Sequence, residues 1–87
     1  MIDFVTIKEV KLTLGLLCKS KRQSYDMSQE DLGEAIGLSR YTIQKFENGK
    51  NATLDTVLKI ANHFELLKQL KKGIDTAIED ENTISLY

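Results

Sequence analysis

The sequence contains no proline and no tryptophan, and it has one cysteine and one histidine among its 87 residues. A single cysteine excludes an internal disulfide framework and any multi-cysteine metal site. No apolar run approaches the roughly 18 residues that span a bilayer. The start, MIDFVTIKEVKL, lacks the basic region and the cleavage site of a signal peptide. These absences predict a cytoplasmic protein with no membrane partner.

Signals of catalysis are equally scarce. The sequence has no P-loop, no dinucleotide fingerprint and no zinc-ligand spacing. Cys18 falls on the apolar side of a predicted helix, where an inert buried thiol is more frequent than a nucleophile. His63 lies beside another apolar stripe, where a residue at the edge of the core is more frequent than a ligand. We therefore expect neither an enzyme nor a cofactor.

The charge balance says little about partners. Hydrophobic residues at 41% and charged residues at 29% indicate a globular chain rather than a disordered one. The formal net charge of −1 weakens the case for a nucleic-acid partner. However, residues 1–50 carry eight Lys or Arg and seven Asp or Glu, whereas residues 51–87 carry four and six. The excess acid lies in the second part, and net charge does not decide what one face can bind.

Helix-forming residues dominate the sequence, so we predict an all-α fold, a compact domain of five helices. Ser or Thr residues with cap character precede four of the helices: Thr6, Ser28, Ser39 and Thr53. The second, third and fifth helices are predicted at about 29–36, 40–48 and 65–79. The end, NTISLY, is consistent with a short strand or a loose tail. The prediction is one domain, residues 1–81, followed by a tail, residues 82–87.

Apolar residues recur at helical spacing and predict the core. On the first helix they are Ile7, Val10, Leu14, Leu17, Cys18 and Tyr25. The second and third helices contribute Leu32, Ala35, Ile36, Ile43 and Phe46, and the fourth Leu54, Val57, Leu58, Ala61 and Phe64. The fifth contributes Leu66, Leu70, Ile74, Ala77 and Ile78. Leu12 and Leu16 lie on the opposite side of the first helix, as two exposed leucines or as a partner surface.

A tight turn joins the second and third helices, because Gly37 tolerates positive φ and lets the chain reverse within about three residues. The third helix then exposes a polar group near its start: Arg40, Tyr41, Gln44 and Lys45. In the major groove of DNA, Arg and Lys suit guanine, Gln suits adenine and an aromatic packs on a thymine methyl. The residues alone leave two alternatives, a DNA-reading helix and a solvated helix face.

Other polar residues are placed to hold a DNA backbone. Gln29 and Ser39 stand at helix starts, where backbone N–H groups and the helix dipole favour phosphate. Asn48 and Lys50 lie at the far end of the third helix and are candidates for phosphate contacts with the other strand. Thr42 is a further candidate for a DNA contact. Three nearby cations would extend the positive field: Lys19, Lys21 and Arg22.

The stretch SQEDLGEAIGLSRYTIQKFENGK, residues 28–50, resembles the helix–turn–helix of the Xre/Cro/phage-repressor superfamily. With the flanking helices, the resemblance covers about residues 11–66. It implies a five-helix domain of the lambda-repressor type that binds operator DNA as a homodimer, with each third helix in a major groove. It assigns DNA contacts to Gln29, to the exposed residues of the third helix and to Asn48. It also implies a mostly buried ion pair between Arg22 and Glu47.

The run ENGKNATLDTVLKIANHFEL is similar to HipB-type antitoxins. That resemblance implies an autorepressor and, in the antitoxin case, a HipA-like toxin kinase as a partner. A standalone regulator, a restriction–modification controller and an interaction module that has lost DNA binding are the alternatives. For the dimer interface we favour the helix at about 65–79, with the Leu12 and Leu16 face of the first helix as the alternative.

Overall fold

The computed structural model describes residues 4–85, with side chains through residue 82. Within that range the chain forms five helices: α1 (Ile7–Ser24), α2 (Gln29–Ile36), α3 (Arg40–Glu47), α4 (Leu54–His63) and α5 (Leu67–Ser85). The described part of the chain contains no strand, which confirms the predicted all-α fold. None of these helices combines the length and the apolar character that crossing a bilayer requires.

The helix bounds differ from the predicted ones mainly at the end of the chain. α2 has the predicted bounds, and α3 ends at Glu47 with Asn48 as its C-cap. α5 starts at Leu67 and continues to Ser85, so residues 82–85 are helical and not a tail or a strand. No glycine or proline follows Glu79 to stop the helix. The rest of the predicted tail, residues 86 and 87, lies outside the described residues.

Ser and Thr side chains start the first four helices, as predicted. Thr6, Ser28, Ser39 and Thr53 each accept a hydrogen bond from the backbone N–H three residues on, at 2.9–3.1 Å. At α2 the bond is reciprocal, because Asp31 Oδ2 accepts from the Ser28 N–H at 2.9 Å. These bonds satisfy N–H groups that have no partner inside the helix, so they fix where each helix begins.

The turn between α2 and α3 is set by Gly37, which has the left-handed conformation with φ of 73°. The Leu38 N–H donates to the Gly33 carbonyl at 2.8 Å, which closes the end of α2. Leu38 then packs against the core, and Ser39 caps the next helix. The chain therefore reverses within three residues, 37–39, which sets the position of α3 relative to α2.

The core is a cluster of six buried side chains: Cys18, Leu32, Ile43, Phe46, Ile60 and Phe64. These come from α1, α2, α3, α4 and the C-cap of α4, so the cluster joins the first four helices. α1 crosses the end of α3 at Gly15, where a Cβ atom would lie 2.6 Å from the Glu47 carbonyl oxygen. Only glycine allows this approach without a shift, and it brings α1 beside Glu47.

Several residues predicted to lie in the core are exposed. They are Ile7, Val10, Leu17 and Tyr25 on or next to α1, Ala35 on α2, Leu54 on α4, and Leu70, Ile74, Ala77 and Ile78 on α5. α1 has 18 residues, about 27 Å, whereas α3 and α4 have eight and ten, so its ends extend past them. Leu54 is the first residue of α4, and Tyr25 covers the core from outside by stacking on Phe64 at 5.9 Å. Leu12 and Leu16 are exposed as well.

α5 extends away from the other helices. It has 19 residues, about 28 Å, and the molecule measures 51 Å along its longest axis against 26 and 22 Å along the others. Between residues 67 and 82, every side chain but that of Asp75 is exposed. The described part of α5 is therefore stabilised by few contacts with its own domain.

Candidate nucleic-acid interface

α3 divides cleanly into a buried and an exposed side. Ile43 and Phe46 lie in the core, at 0% and 5% exposure. The opposite side carries the four predicted base-reading residues, all exposed: Arg40, Tyr41, Gln44 and Lys45. The structure therefore brings these four side chains together on one exposed helix surface, and an α-helix is an element that the DNA major groove admits.

Tyr41 and Lys45 restrain one another. The Lys45 Nζ lies 5.5 Å from the centroid of the Tyr41 ring, in cation–π geometry. An ammonium group over an exposed ring loses rotamer freedom that a lysine on a bare helix would keep. The two residues lie one helical turn apart on α3, and their side chains contact each other.

The side chains of Ser39 and Thr42 use part of their hydrogen-bonding capacity to cap the start of α3. Ser39 Oγ accepts from the Thr42 N–H at 3.0 Å, and the two hydroxyl oxygens lie 2.9 Å apart. Ser39 is exposed and Thr42 is half-buried. Both side chains thus have a structural role, and each oxygen keeps further hydrogen-bonding capacity for a ligand at the helix start.

Gln29 lies at the start of α2, half-buried, and its side chain is already held in place. Its Nε2 donates to Glu47 Oε1 at 3.1 Å. This contact joins the first residue of α2 to the last residue of α3. The sequence does not predict this bond, because the two residues are 18 positions apart and no motif links them.

The predicted ion pair between Arg22 and Glu47 is present and buried. Arg22 Nε donates to Glu47 Oε2 at 2.7 Å and Nη2 donates to Oε1 at 3.0 Å, a two-bond geometry that fixes both side chains. The remaining Nη1 donates to the Met27 carbonyl at 2.8 Å. Cys18 Sγ donates to Glu47 Oε2 at 3.5 Å. Among the described residues, no buried side-chain polar atom lacks a hydrogen-bond partner.

Burial and hydrogen bonding act in opposite directions on this carboxylate. Burial by itself raises the pKa of Glu47, but the hydrogen bonds from Arg22 and Gln29 and the charge of Arg22 outweigh it and lower the pKa. Burial, together with the Glu47 charge, raises the pKa of Cys18 to about 12. Cys18 is therefore a protonated, buried thiol at neutral pH, which favours the inert role.

The cations around the site have different roles. Lys45 and Lys50 are exposed, as is Lys19. Arg22 does not add to a positive surface, because Glu47 neutralises it in the interior; this part of the prediction was wrong. Lys11 instead reaches the loop after α3, where its Nζ donates to Asn51 Oδ1.

Asn48 closes α3 from its far end. It is exposed, and its backbone N–H donates to the Gln44 and Lys45 carbonyls at 3.1 and 3.2 Å. Asn48 directly follows the helix that carries the base-reading residues. Three of the predicted phosphate-contact residues therefore lie at helix termini. Gln29 is the first residue of α2, Ser39 is the N-cap of α3 and Asn48 is its C-cap.

Comparison with known proteins places this geometry in a family. The helix-turn-helix family model HTH_3 matches residues 19–70, more than half of the chain. The chain belongs to this family. The matched range contains α2, the turn and α3 entirely, so the family model covers the part of the molecule that carries the exposed polar side of α3.

Relatives of this helix-turn-helix chain carry similar names. Proteins of Methanosphaerula palustris and Methanoregula boonei, each named "Putative HTH-type transcriptional regulatory protein", are 39% and 42% identical over 51 and 50 residues. Those alignments cover 59% and 58% of this chain but 17% and 16% of the relatives. The chain therefore spans about a sixth of the length of the regulators it matches.

A solved structure of a HipB variant in complex with an O2 20mer is also similar. Its TM-score is 0.57 at 31% identity, over 76% of this chain and 88% of that one. This likeness confirms the resemblance to HipB-type proteins that residues 47–66 indicated.

Proposed function

We propose that this chain is a sequence-specific DNA-binding transcriptional regulator. The observation that carries the proposal is α3, which keeps Ile43 and Phe46 in the core and presents Arg40, Gln44 and Lys45 from one exposed surface. A helix presented in this way enters the major groove with its first turns against the base edges. The names of the relatives and the O2 20mer bound by the HipB variant support the same assignment.

In this proposal, α3 reads the bases. Arg40 and Lys45 donate to guanine O6 and N7, and Gln44 makes a two-bond contact with adenine. Tyr41 packs on a thymine methyl or a sugar, and its contact with Lys45 holds both side chains toward the groove. Base contacts carry the sequence specificity, whereas phosphate contacts carry orientation and much of the affinity.

The residues around α3 hold the DNA backbone. Gln29, Ser39 and Thr42 lie at two helix starts, where backbone N–H groups and the positive end of the dipole favour phosphate. Asn48 and Lys50 hold the backbone at the other end of the helix. Since Gln29 is hydrogen-bonded to Glu47, the buried ion pair sets where this phosphate contact lies relative to α3.

We further propose that the regulator acts as a homodimer on two half-sites one helical turn apart, roughly 10 bp. In this role it represses its own operon. An antitoxin with a HipA-like kinase partner is a second candidate, favoured by the likeness to the HipB complex. Co-purification of the chain with a kinase encoded beside it separates that case from a standalone regulator.

The proposal is tested by fluorescence anisotropy of the purified chain with the DNA upstream of its own gene. A scrambled duplex of equal length and composition is the control, and both are titrated across a salt series. We expect tight binding to the upstream DNA, with log K falling by about 0.9 per phosphate contact for each unit of log salt. Equal weak binding to both duplexes would contradict autorepression.

A further inference from the structure

An apolar groove of about 410 Å³ runs between α1, α4 and the start of α5. Its walls include three side chains of α1, namely Val10, Leu14 and Leu17, together with Leu66 and Leu70. Among its lining residues, only Gln69 and Cys18 carry side-chain polar or sulfur atoms. The groove lies on the apolar side of α1, on a different face of this helix from Leu12 and Leu16.

The groove continues onto the exposed apolar stripe of α5. Leu67 and Leu70 are 38% and 39% exposed, and Ile74 and Ile78 are 54% and 52% exposed. The spacing of 67, 70, 74, 77 and 78 puts these side chains on one side of the helix. An apolar groove that runs into an apolar helix face forms a larger continuous surface than a soluble monomer usually leaves uncovered.

The charges of α5 are separated along its length. Its first part carries only basic charges: Lys68, Lys71 and Lys72. Its later part carries only acidic charges: Asp75, Glu79, Asp80 and Glu81. Two copies of such a helix placed parallel would bring like charges together, whereas an antiparallel pair brings the basic part of each copy against the acidic part of the other.

We infer that a second copy of this chain covers the groove, through antiparallel packing of the two α5 helices about a two-fold axis near Ile74. This inference rests on the homodimer of the proposed function and specifies its interface. An antiparallel pair of identical helices is two-fold symmetric, as an isologous interface requires. The seam is therefore α5 with the apolar side of α1, and not the Leu12 and Leu16 face.

The symmetry fixes which residues meet. With the axis at residue 74, residue 70 of one copy lies opposite residue 78 of the other. Because Leu70 lines the groove, Ile78 of the second copy is the side chain that reaches the groove mouth. Val10, which is 45% exposed on the α1 wall, is covered by the same helix.

The first test compares three single variants of the full chain by sedimentation velocity without DNA. Val10→Glu and Ile78→Glu each place a charge in the inferred seam on different helices, so the dimer dissociation constant should rise about 100-fold or more. Leu16→Glu is the matched control, because Leu16 is 65% exposed on the other face of α1. Circular dichroism establishes that each variant is folded.

The second test determines the direction of the helices by cysteine cross-linking. Leu70→Cys and Ile78→Cys chains are prepared separately and oxidised alone or mixed; native Cys18 is buried and out of reach. Antiparallel packing gives a cross-link only in the mixture, because residues 70 and 78 of one helix are about 12 Å apart. A cross-link within the Leu70→Cys sample alone would show parallel packing and overturn the inference.

The outcomes separate this interface from the proposed function. If Leu16→Glu dissociates the dimer and the two seam variants do not, the interface is the other face of α1 while DNA binding stands. If the wild-type chain is a monomer both free and on its operator, the dimer and its interface both fail. If Val10→Glu is monomeric yet keeps weak, salt-dependent preference for a half-site, the interface is supported and the DNA-binding surface is intact.

Discussion

Removal of the Glu47 carboxylate should lower the free energy of unfolding of this protein by about 3–5 kcal/mol. Glu47→Ala leaves the Arg22 guanidinium buried without its two carboxylate bonds, at 2.7 and 3.0 Å, and leaves Gln29 and Cys18 without their acceptor. An uncompensated buried charge is far more costly than a lost surface contact. Urea denaturation at neutral pH, followed by circular dichroism, measures the change.

Two controls make this measurement specific. Asp55→Ala breaks the i,i+4 pair with Lys59, whose side chains are 76% and 44% exposed, and should cost less than about 1 kcal/mol. The double variant Arg22→Met with Glu47→Leu removes both charges and should be more stable than Glu47→Ala alone. A Glu47→Ala variant as stable as Asp55→Ala would show that the ion pair does not support the fold.

The same carboxylate gives the fold a defined acid sensitivity. The pKa of Glu47 is lower in the folded protein than its ordinary value of 4.5. Its contribution is therefore fully present at pH above the unfolded value and is lost as the pH falls through the folded pKa. Stability measured from pH 7 downward should fall more steeply in the wild type than in Glu47→Gln, which has no charge to lose. Equal slopes would exclude Glu47 as the source.

The sequence predicted helix bounds best where a capping residue starts the helix and a glycine ends it. α2 was placed correctly because Ser28 caps its start and Gly37, with φ of 73°, ends it. α5 has no such mark after Glu79, so its continuation to Ser85 was not foreseen. Helical periodicity gave the apolar side of α1 but not the length of its neighbours, which is why the exposure of Ile7 and Val10 was missed.

Within the site, too, local sequence predicts some features, whereas others depend on residues far apart in the chain. The exposed side of α3 could be predicted because Ile43 and Phe46 are its apolar core positions, which leaves Arg40, Tyr41, Gln44 and Lys45 on the other side. The pairing of Arg22 with Glu47 came from the family resemblance, since no local spacing joins residues 25 positions apart. The bond from Gln29 to Glu47 depends on the distance between the start of α2 and the end of α3, and nothing in the sequence specifies that distance.

Arg40→Ala should cost the operator complex about 2–6 kcal/mol, because one base contact is worth about 1–3 kcal/mol and a two-fold dimer loses it in both half-sites. Arg40 is exposed at the first position of α3, and within the described residues it makes no ion pair that would confuse the result. Its removal should abolish discrimination at one base position of each half-site and leave non-specific affinity largely unchanged.

Lys50→Ala is the matched control for this variant, because Lys50 is also an exposed cation but lies beyond the end of α3. A lost phosphate contact weakens binding to operator and scrambled duplexes alike and flattens the salt slope by about one unit per contact. Anisotropy on the operator, on variants changed at single positions and on a scrambled duplex separates the two patterns. If Arg40→Ala behaves like Lys50→Ala, weakening every duplex equally, then Arg40 holds the backbone and the base-reading role must pass to Gln44 and Lys45.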